Sequence, residues 1–107
     1  MITLSIIIPV YNGASSIERL VGELAALKVD GGVELVLVND CSPDNSWEII
    51  QRLVKQAPMP IVAVDLARNF GEHNAVMAGY AACNGKFIIN IDDDFQNPPS
   101  EVLKLLE

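Results

Sequence analysis

Apolar and polar positions along this chain switch repeatedly between the period of a strand and that of a helix. Leu4-Ser5-Ile6-Ile7-Ile8 is a short, β-branched, apolar run of the kind that forms a buried strand. After the turn Tyr11-Asn12-Gly13, the residues Ile17, Leu20, Val21, Leu24 and Leu27 recur at helical spacing, which predicts a helix over 14–28 stopped by Asp30-Gly31-Gly32. Val33 to Val38 reads as a second strand. Ser42-Pro43 looks like an N-cap followed by proline at the first helical position, and Trp47, Ile50, Leu53 and Val54 form the inner stripe of the helix it opens. Ile61 to Leu66 is a third strand. Gly71 to Cys83 is a third helix, rich enough in Ala75, Ala78, Gly79, Ala81 and Ala82 to pack closely on a sheet. Lys86 to Ile91 is a fourth strand, 92–99 a loop, and 100–107 the start of a fourth helix.

The order is βαβαβαβα. Strands separated by helices imply a parallel sheet with right-handed crossovers, hence an α/β, Rossmann-like fold. The expected strand order is 3-2-1-4, which puts the switch point between the first and fourth strands. The pattern runs out inside the fourth helix, so the 107 residues read as one unit, truncated from a larger domain.

Composition narrows the function. Half the residues are hydrophobic, enough for a real core in a domain that buries roughly 65% of its unfolded surface. Seven basic against 14 acidic residues give a net charge of −7. Such a chain is a poor partner for nucleic acid or an anionic lipid surface, both of which need clustered Lys and Arg. Cys41 and Cys83 have no metal-site spacing and read as reduced thiols of a cytosolic compartment. No apolar run reaches the length of a membrane span.

Ligands of open α/β sheets bind beyond the carboxyl ends of the strands. Pro9-Val10-Tyr11-Asn12 follows the first strand, Asn39-Asp40-Cys41-Ser42 the second, Arg68-Asn69-Phe70-Gly71 the third, and Asp92-Asp93-Asp94-Phe95-Gln96 the fourth. The acidic triplet is the sharpest feature. In an extended segment Asp92 and Asp94 face one side and can grip a single ion, with Gln96 continuing the alternation. Hard oxygen ligands suit Mg²⁺ or Mn²⁺, which would also hold substrate phosphates. The alternative is a solvated acidic turn at the start of the next helix. The shared rim with Asp40 and Arg68 favours the metal.

The remaining candidates each have two readings. Asp40 can accept from a base N–H or a ribose hydroxyl, or cap the second helix. Tyr11 can stack on a base or be a half-buried tyrosine. Arg68 can pair with a diphosphate or with Asp65 or Glu72. His73, the sole histidine, reads as structural, Trp47 as core, and Cys41 as a small filler.

Taken together, these stretches resemble the nucleotide-sugar-binding half of a GT-A fold glycosyltransferase of the large inverting family 2. The resemblance rests on Ser5-Ile6-Ile7-Ile8-Pro9-Val10-Tyr11-Asn12, Val38-Asn39-Asp40-Cys41-Ser42-Pro43-Asp44 and Asp92-Asp93-Asp94. The run from Arg68 to Gly79, with Asp94-Phe95-Gln96-Asn97-Pro98-Pro99, is similar to enzymes that load sugars onto polyisoprenyl phosphates, of the dolichol-phosphate mannose synthase kind.

The resemblance implies that Pro9, Tyr11 and Asp40 border the nucleoside and that Arg68 lies near the nucleotide. It implies that Asp92, Asp94 and Gln96 hold Mg²⁺ or Mn²⁺ against the diphosphate, with Asp92 also counted among the nucleotide contacts. It implies a nucleotide-diphosphate sugar as donor and a lipid phosphate as acceptor. The acceptor site and any catalytic base are then expected beyond Glu107, so this stretch is expected to bind nucleotide without transferring sugar. The expected location is cytoplasmic, at the membrane face through segments outside this sequence.

Two departures stand out. Relatives often carry an acid where this chain has Gly13, and the usual Asp-Asp-Gly-Ser reads Asn39-Asp40-Cys41-Ser42. The rival from another class is a phospho-receiver-like, Mg²⁺-binding signalling domain, which would place its acidic pair directly after the first strand. A dehydrogenase or P-loop reading fails, because neither glycine fingerprint is present.

Overall fold

A computed structural model describes residues 3–26, 32–69 and 71–91. The elements run β1 (Leu4–Val10), α1 (Ile17–Ala25), β2 (Val33–Asn39), α2 (Ser46–Gln56), β3 (Ile61–Asp65), α3 (Glu72–Ala82) and β4 (Phe87–Asn90). The four strands form one sheet in the order β3-β2-β1-β4, all pairs parallel. The expected strand order is therefore the observed one. The expected acidic loop and fourth helix lie outside the described residues.

The central strands β1 and β2 are mostly apolar and buried along nearly their whole length, because both of their faces are covered. On one face Leu4, Ile6, Ile8, Leu35 and Leu37 meet Ile17, Leu20 and Leu24 of α1 and Ile50 and Leu53 of α2, with Trp47 packed at the margin. On the other, Ile7, Val36 and Val38 meet Ala75, Ala78 and Ala82 of α3. The small residues of α3 allow the close approach expected of them. A Cβ placed on Gly79 would sit 2.5 Å from Ile7 Cγ2.

Two helices start later than their sequence patterns suggest. α1 begins at Ile17 rather than 14, because the N–H groups of Ser16 and Ile17 both close a turn onto Gly13 O. α2 begins at Ser46, with Asn45 rather than Ser42 at the N-cap position. Ser42 cannot cap it, because its hydroxyl donates to Val10 O and accepts from Asn12 N–H. Asp44 instead accepts the Ser46 N–H at 3.0 Å.

Pro9 explains where the switch point opens. Ile7 O accepts Ile91 N–H on the β4 side of β1. Two residues on, Pro9 presents its ring nitrogen to that same side and has no hydrogen to donate. The β1–β4 pairing accordingly ends at Ile7↔Asn90, while β1 stays paired with β2 through Val10↔Asn39.

At the opposite end of the sheet lies a buried polar network. Glu34 is 2% exposed. Its carboxylate accepts the Ser5 hydroxyl (2.6 Å), the Asn84 N–H (2.6 Å) and the Asn84 side-chain amide (3.2 Å). Burial by itself pushes the Glu34 carboxyl up, but these donors together hold it below its ordinary value. A depressed folded-state pKa contributes stability above the unfolded value of about 4.5, and that contribution is lost as the pH falls through the folded pKa. Glu34→Gln is expected to cost about 2 kcal/mol at pH 7 and to flatten the loss of thermal stability below pH 4.5. Melting curves from pH 7 to pH 3 check this; a variant with the wild-type acid profile would contradict it.

Candidate functional site

The rim at the carboxyl ends of the strands is one continuous hydrogen-bonded edge. Beyond β1, three successive N–H groups are taken by side chains two residues apart on the β2–α2 loop. Asn12 N–H donates to Ser42 Oγ (3.2 Å), Gly13 N–H to Ser46 Oγ (3.0 Å) and Ala14 N–H to Asp44 Oδ2 (3.2 Å). Asp44 also accepts the Ser46 hydroxyl. Its small burial alone would raise its pKa, but these bonds hold the carboxyl below the ordinary aspartate value. The backbone after β1 therefore offers no cradle of three open N–H groups of the kind that binds phosphate in glycine-rich loops. Gly13, a departure from the family pattern, is buried at the middle of this seam.

The β2 loop is tied in turn to the β3–α3 loop. Asn39 and Asp40 are each 3% exposed. Asn39 Nδ2 donates to Asp65 Oδ1 at 2.9 Å, and Asp40 Oδ2 accepts Gly71 N–H at 3.1 Å. Asp40 thus does not cap α2; it holds the residue that precedes α3. Gly71 takes φ +92°, a conformation that favours glycine, and its N–H is shared between Asp40 and Asn69 Oδ1 (2.9 Å).

The other predicted residues fall on the same rim. Pro9 is half-buried at the end of β1, Tyr11 is 47% exposed beside it, and Arg68 is exposed on the β3–α3 loop. Asp40 N–H donates to Val10 O at 2.9 Å, so Tyr11 and Asp40 lie on adjoining strand ends. Asp92, Asp94 and Gln96 lie outside the described residues. Ile91, which directly precedes Asp92, is buried and bonded to Ile7, so the chain leaves the described sheet at the switch point. His73 is exposed and Trp47 packs against the core. Both cysteines are free thiols.

Cys41 is not a filler: it is exposed and adopts φ +55°, with its thiol 3.8 Å from Ala67 O. A left-handed backbone costs a non-glycine residue about 1–2 kcal/mol, which accounts physically for glycine at this position of the resembling motif. Cys41→Gly is expected to stabilise the chain by about 0.5–1 kcal/mol once the greater freedom of the unfolded glycine is deducted. The denaturation midpoint should rise at constant slope; a fall would contradict the assignment of strain.

The sequence pattern missed Asn39, Ser42, Asp44 and Ser46 as a group. The partners of the last three lie 30 to 33 residues away in the chain, so no local pattern marks them.

The fit of a divalent ion to these residues rests on donor chemistry. Among the described residues no group of three or more His, Cys, Asp or Glu side chains can hold a metal, and Asp40 and Asp44 are already bonded to backbone N–H groups. Asp92, Asp94 and Gln96 lie outside the described residues; by donor chemistry alone, two carboxylates and an amide oxygen are of the hard-oxygen type that suits Mg²⁺ or Mn²⁺.

A parallel α/β sheet with alternating helices and a polar rim at its strand ends is the architecture whose ligands bind beyond the carboxyl ends of the strands. The family model described as Glycosyl transferase family 2 matches residues 5–107, and the chain belongs to that family. A phospho-receiver domain is accordingly not supported. One relative is the undecaprenyl-phosphate 4-deoxy-4-formamido-L-arabinose transferase of Pseudomonas syringae pv. syringae (strain B728a). It is 46% identical over 105 residues, covering 96% of this chain and 31% of the relative. This chain thus spans about a third of the length of the curated relatives it matches. The fold matches S. aureus TarS 1–349 with a TM-score of 0.82 at 22% identity, over 98% of this chain and 31% of that one. Glucosyl-3-phosphoglycerate synthase from Mycobacterium tuberculosis, solved with Mn²⁺, UDP and glucosyl-3-phosphoglycerate, matches with a TM-score of 0.71 at 26% identity. That match covers 97% of this chain and 38% of the neighbour.

Proposed function

We propose that residues 1–107 are the nucleotide-sugar-binding part of an inverting glycosyltransferase that passes a sugar from a nucleotide-diphosphate donor to a polyisoprenyl phosphate. The observation that carries the reading is the gathering of Tyr11, Asp40 and Arg68 at the carboxyl ends of β1, β2 and β3, the same edge at which β4 ends. The undecaprenyl-phosphate transferases among the relatives support the acceptor class, and the neighbour solved with UDP and Mn²⁺ supports the donor and the ion.

In this reading Pro9, Tyr11 and Asp40 border the nucleoside, and Asp40 also fixes the adjoining loop through Gly71 N–H. Arg68 lies near the diphosphate. Asp92, Asp94 and Gln96 hold Mg²⁺ or Mn²⁺. A bound divalent ion supplies charge compensation for the leaving diphosphate. The reaction is a single in-line displacement at the sugar C1. A lipid phosphate arrives already anionic, which lessens the need for a strong general base on the protein. Among the described residues no helix is long and apolar enough to cross a membrane. The proposed place of work is the cytoplasmic membrane face, where the lipid phosphate is presented.

The test is transfer of radiolabelled sugar from nucleotide donors to undecaprenyl phosphate by the full-length protein. Labelled product that extracts with the lipid and disappears with chelator is the expected result. Transfer to lipid at the same rate in excess chelator would overturn the metal, and no transfer from any nucleotide donor would overturn the activity.

A further inference from the structure

We propose that Asn39 is a positioning residue of the nucleotide site, holding the Arg68-bearing loop against the strand end that carries Asp40. The functional half of this inference rests on the nucleotide-binding reading; the structural half stands on the geometry alone. Asn39 closes β2 and is opposite Asp65 in the parallel register. From a position 3% exposed it makes three bonds, one to the last residue of β3 and one into each of the β2–α2 and β3–α3 loops. Its Nδ2 donates to Asp65 Oδ1 (2.9 Å), its Oδ1 accepts Ser42 N–H (3.3 Å), and its backbone carbonyl accepts Leu66 N–H (2.9 Å). The loop it grips is anchored again at its far end, where Gly71 N–H is shared between Asp40 Oδ2 (3.1 Å) and the loop's own Asn69 Oδ1 (2.9 Å). Arg68 sits between the two anchors.

The partners dictate the side chain. An ionised Asp65 can only accept and Ser42 N–H can only donate, so the group between them must do both on a single short branch, as an asparagine amide does. An acid, which the resembling motif carries at this position, would here lose the bond to Asp65 and set two carboxylates face to face beside Asp40. The pair can be exchanged without loss. With Asn39→Asp and Asp65→Asn together, the carboxylate at position 39 accepts from both Ser42 N–H and the amide at position 65.

The experiment compares wild type, Asn39→Asp and the exchanged double variant in the full chain by two readouts. One is amide hydrogen exchange at Leu66 and Gly71, with Leu35 in β2 as internal reference. The other is the affinity for UDP in the presence of Mn²⁺. Asn39→Asp is expected to speed exchange at Leu66 and Gly71 and to weaken UDP binding, each by about tenfold or more, and the double variant to restore both to within about threefold of wild type. Unchanged exchange and affinity in Asn39→Asp would overturn the proposal, as would a double variant no better than the single one. Lost stability with unchanged UDP affinity would reduce Asn39 to a structural role and also overturn it. If Asn39→Asp does not fold, the double variant decides, since a merely crowded site would not be rescued by exchanging the two groups. If wild type binds no UDP, the nucleotide reading fails, and the exchange rates at Leu66 and Gly71 still decide whether Asn39 holds the loop.

Discussion

Replacing Gly85 by alanine is expected to destabilise the chain by about 3 kcal/mol, the upper part of the range for overpacking. Gly85 lies between α3 and β4, and its N–H donates to Ser5 Oγ at 2.7 Å. A Cβ there would meet Ser5 Oγ at 2.5 Å, Ser5 N at 2.6 Å and the Leu4 carbonyl carbon at 2.9 Å. Two of those atoms are backbone of β1, which is central in the sheet and cannot give way without disturbing its partners on either side. The third is the hydroxyl that also donates to Glu34. One methyl group therefore both crowds the central strand and pulls a donor from a buried carboxylate, which is costly to leave short of partners. Against a typical total of about 5–15 kcal/mol, the loss should lower the melting temperature by roughly 15 °C. A shift of only a few degrees would show that the α3–β4 junction is looser than its geometry.

The largest functional effect is expected at Asp94. If the proposed metal site is right, Asp94→Asn should weaken Mn²⁺-supported UDP binding by about a hundredfold, and Asp92→Asn by a comparable factor, because each would remove a charged oxygen ligand. Asp93→Asn should matter far less, since in an extended segment its side chain alternates to the other side. Calorimetric titration of the three variants separates metal binding from a merely acidic turn. Unequal losses in this pattern support the metal; equal small losses at all three positions would favour the solvated turn.

Much of the fold was legible because periodicity dominates it. The runs at Leu4, Val33, Ile61 and Lys86, separated by helical stripes, predict four parallel strands, and the polar residues at the ends of the first and fourth strands point to the order by marking the switch point. Helix starts were less legible. Ser42-Pro43 has the form of a cap, but the Ser42 hydroxyl bridges two strand ends, a contact 30 and 32 residues distant that no local pattern carries. The same holds for the site. The strand ends mark Tyr11, Asp40 and Arg68 as rim residues, whereas the function of Asn39 depends on Asp65, 26 residues away. Glu34 could have been noticed as a lone acid inside an apolar strand, but its donors Ser5 and Asn84 belong to other parts of the chain.

The proposed binding of a nucleoside diphosphate to this rim through a divalent ion can be read from calorimetric titration of the protein with UDP. The net charge of −7 opposes an anionic ligand unless a cation intervenes. Measurable binding with Mn²⁺ or Mg²⁺, abolished by EDTA and restored by excess metal, is the predicted result. Binding of equal strength with and without chelator, or no binding at any metal concentration, would contradict it.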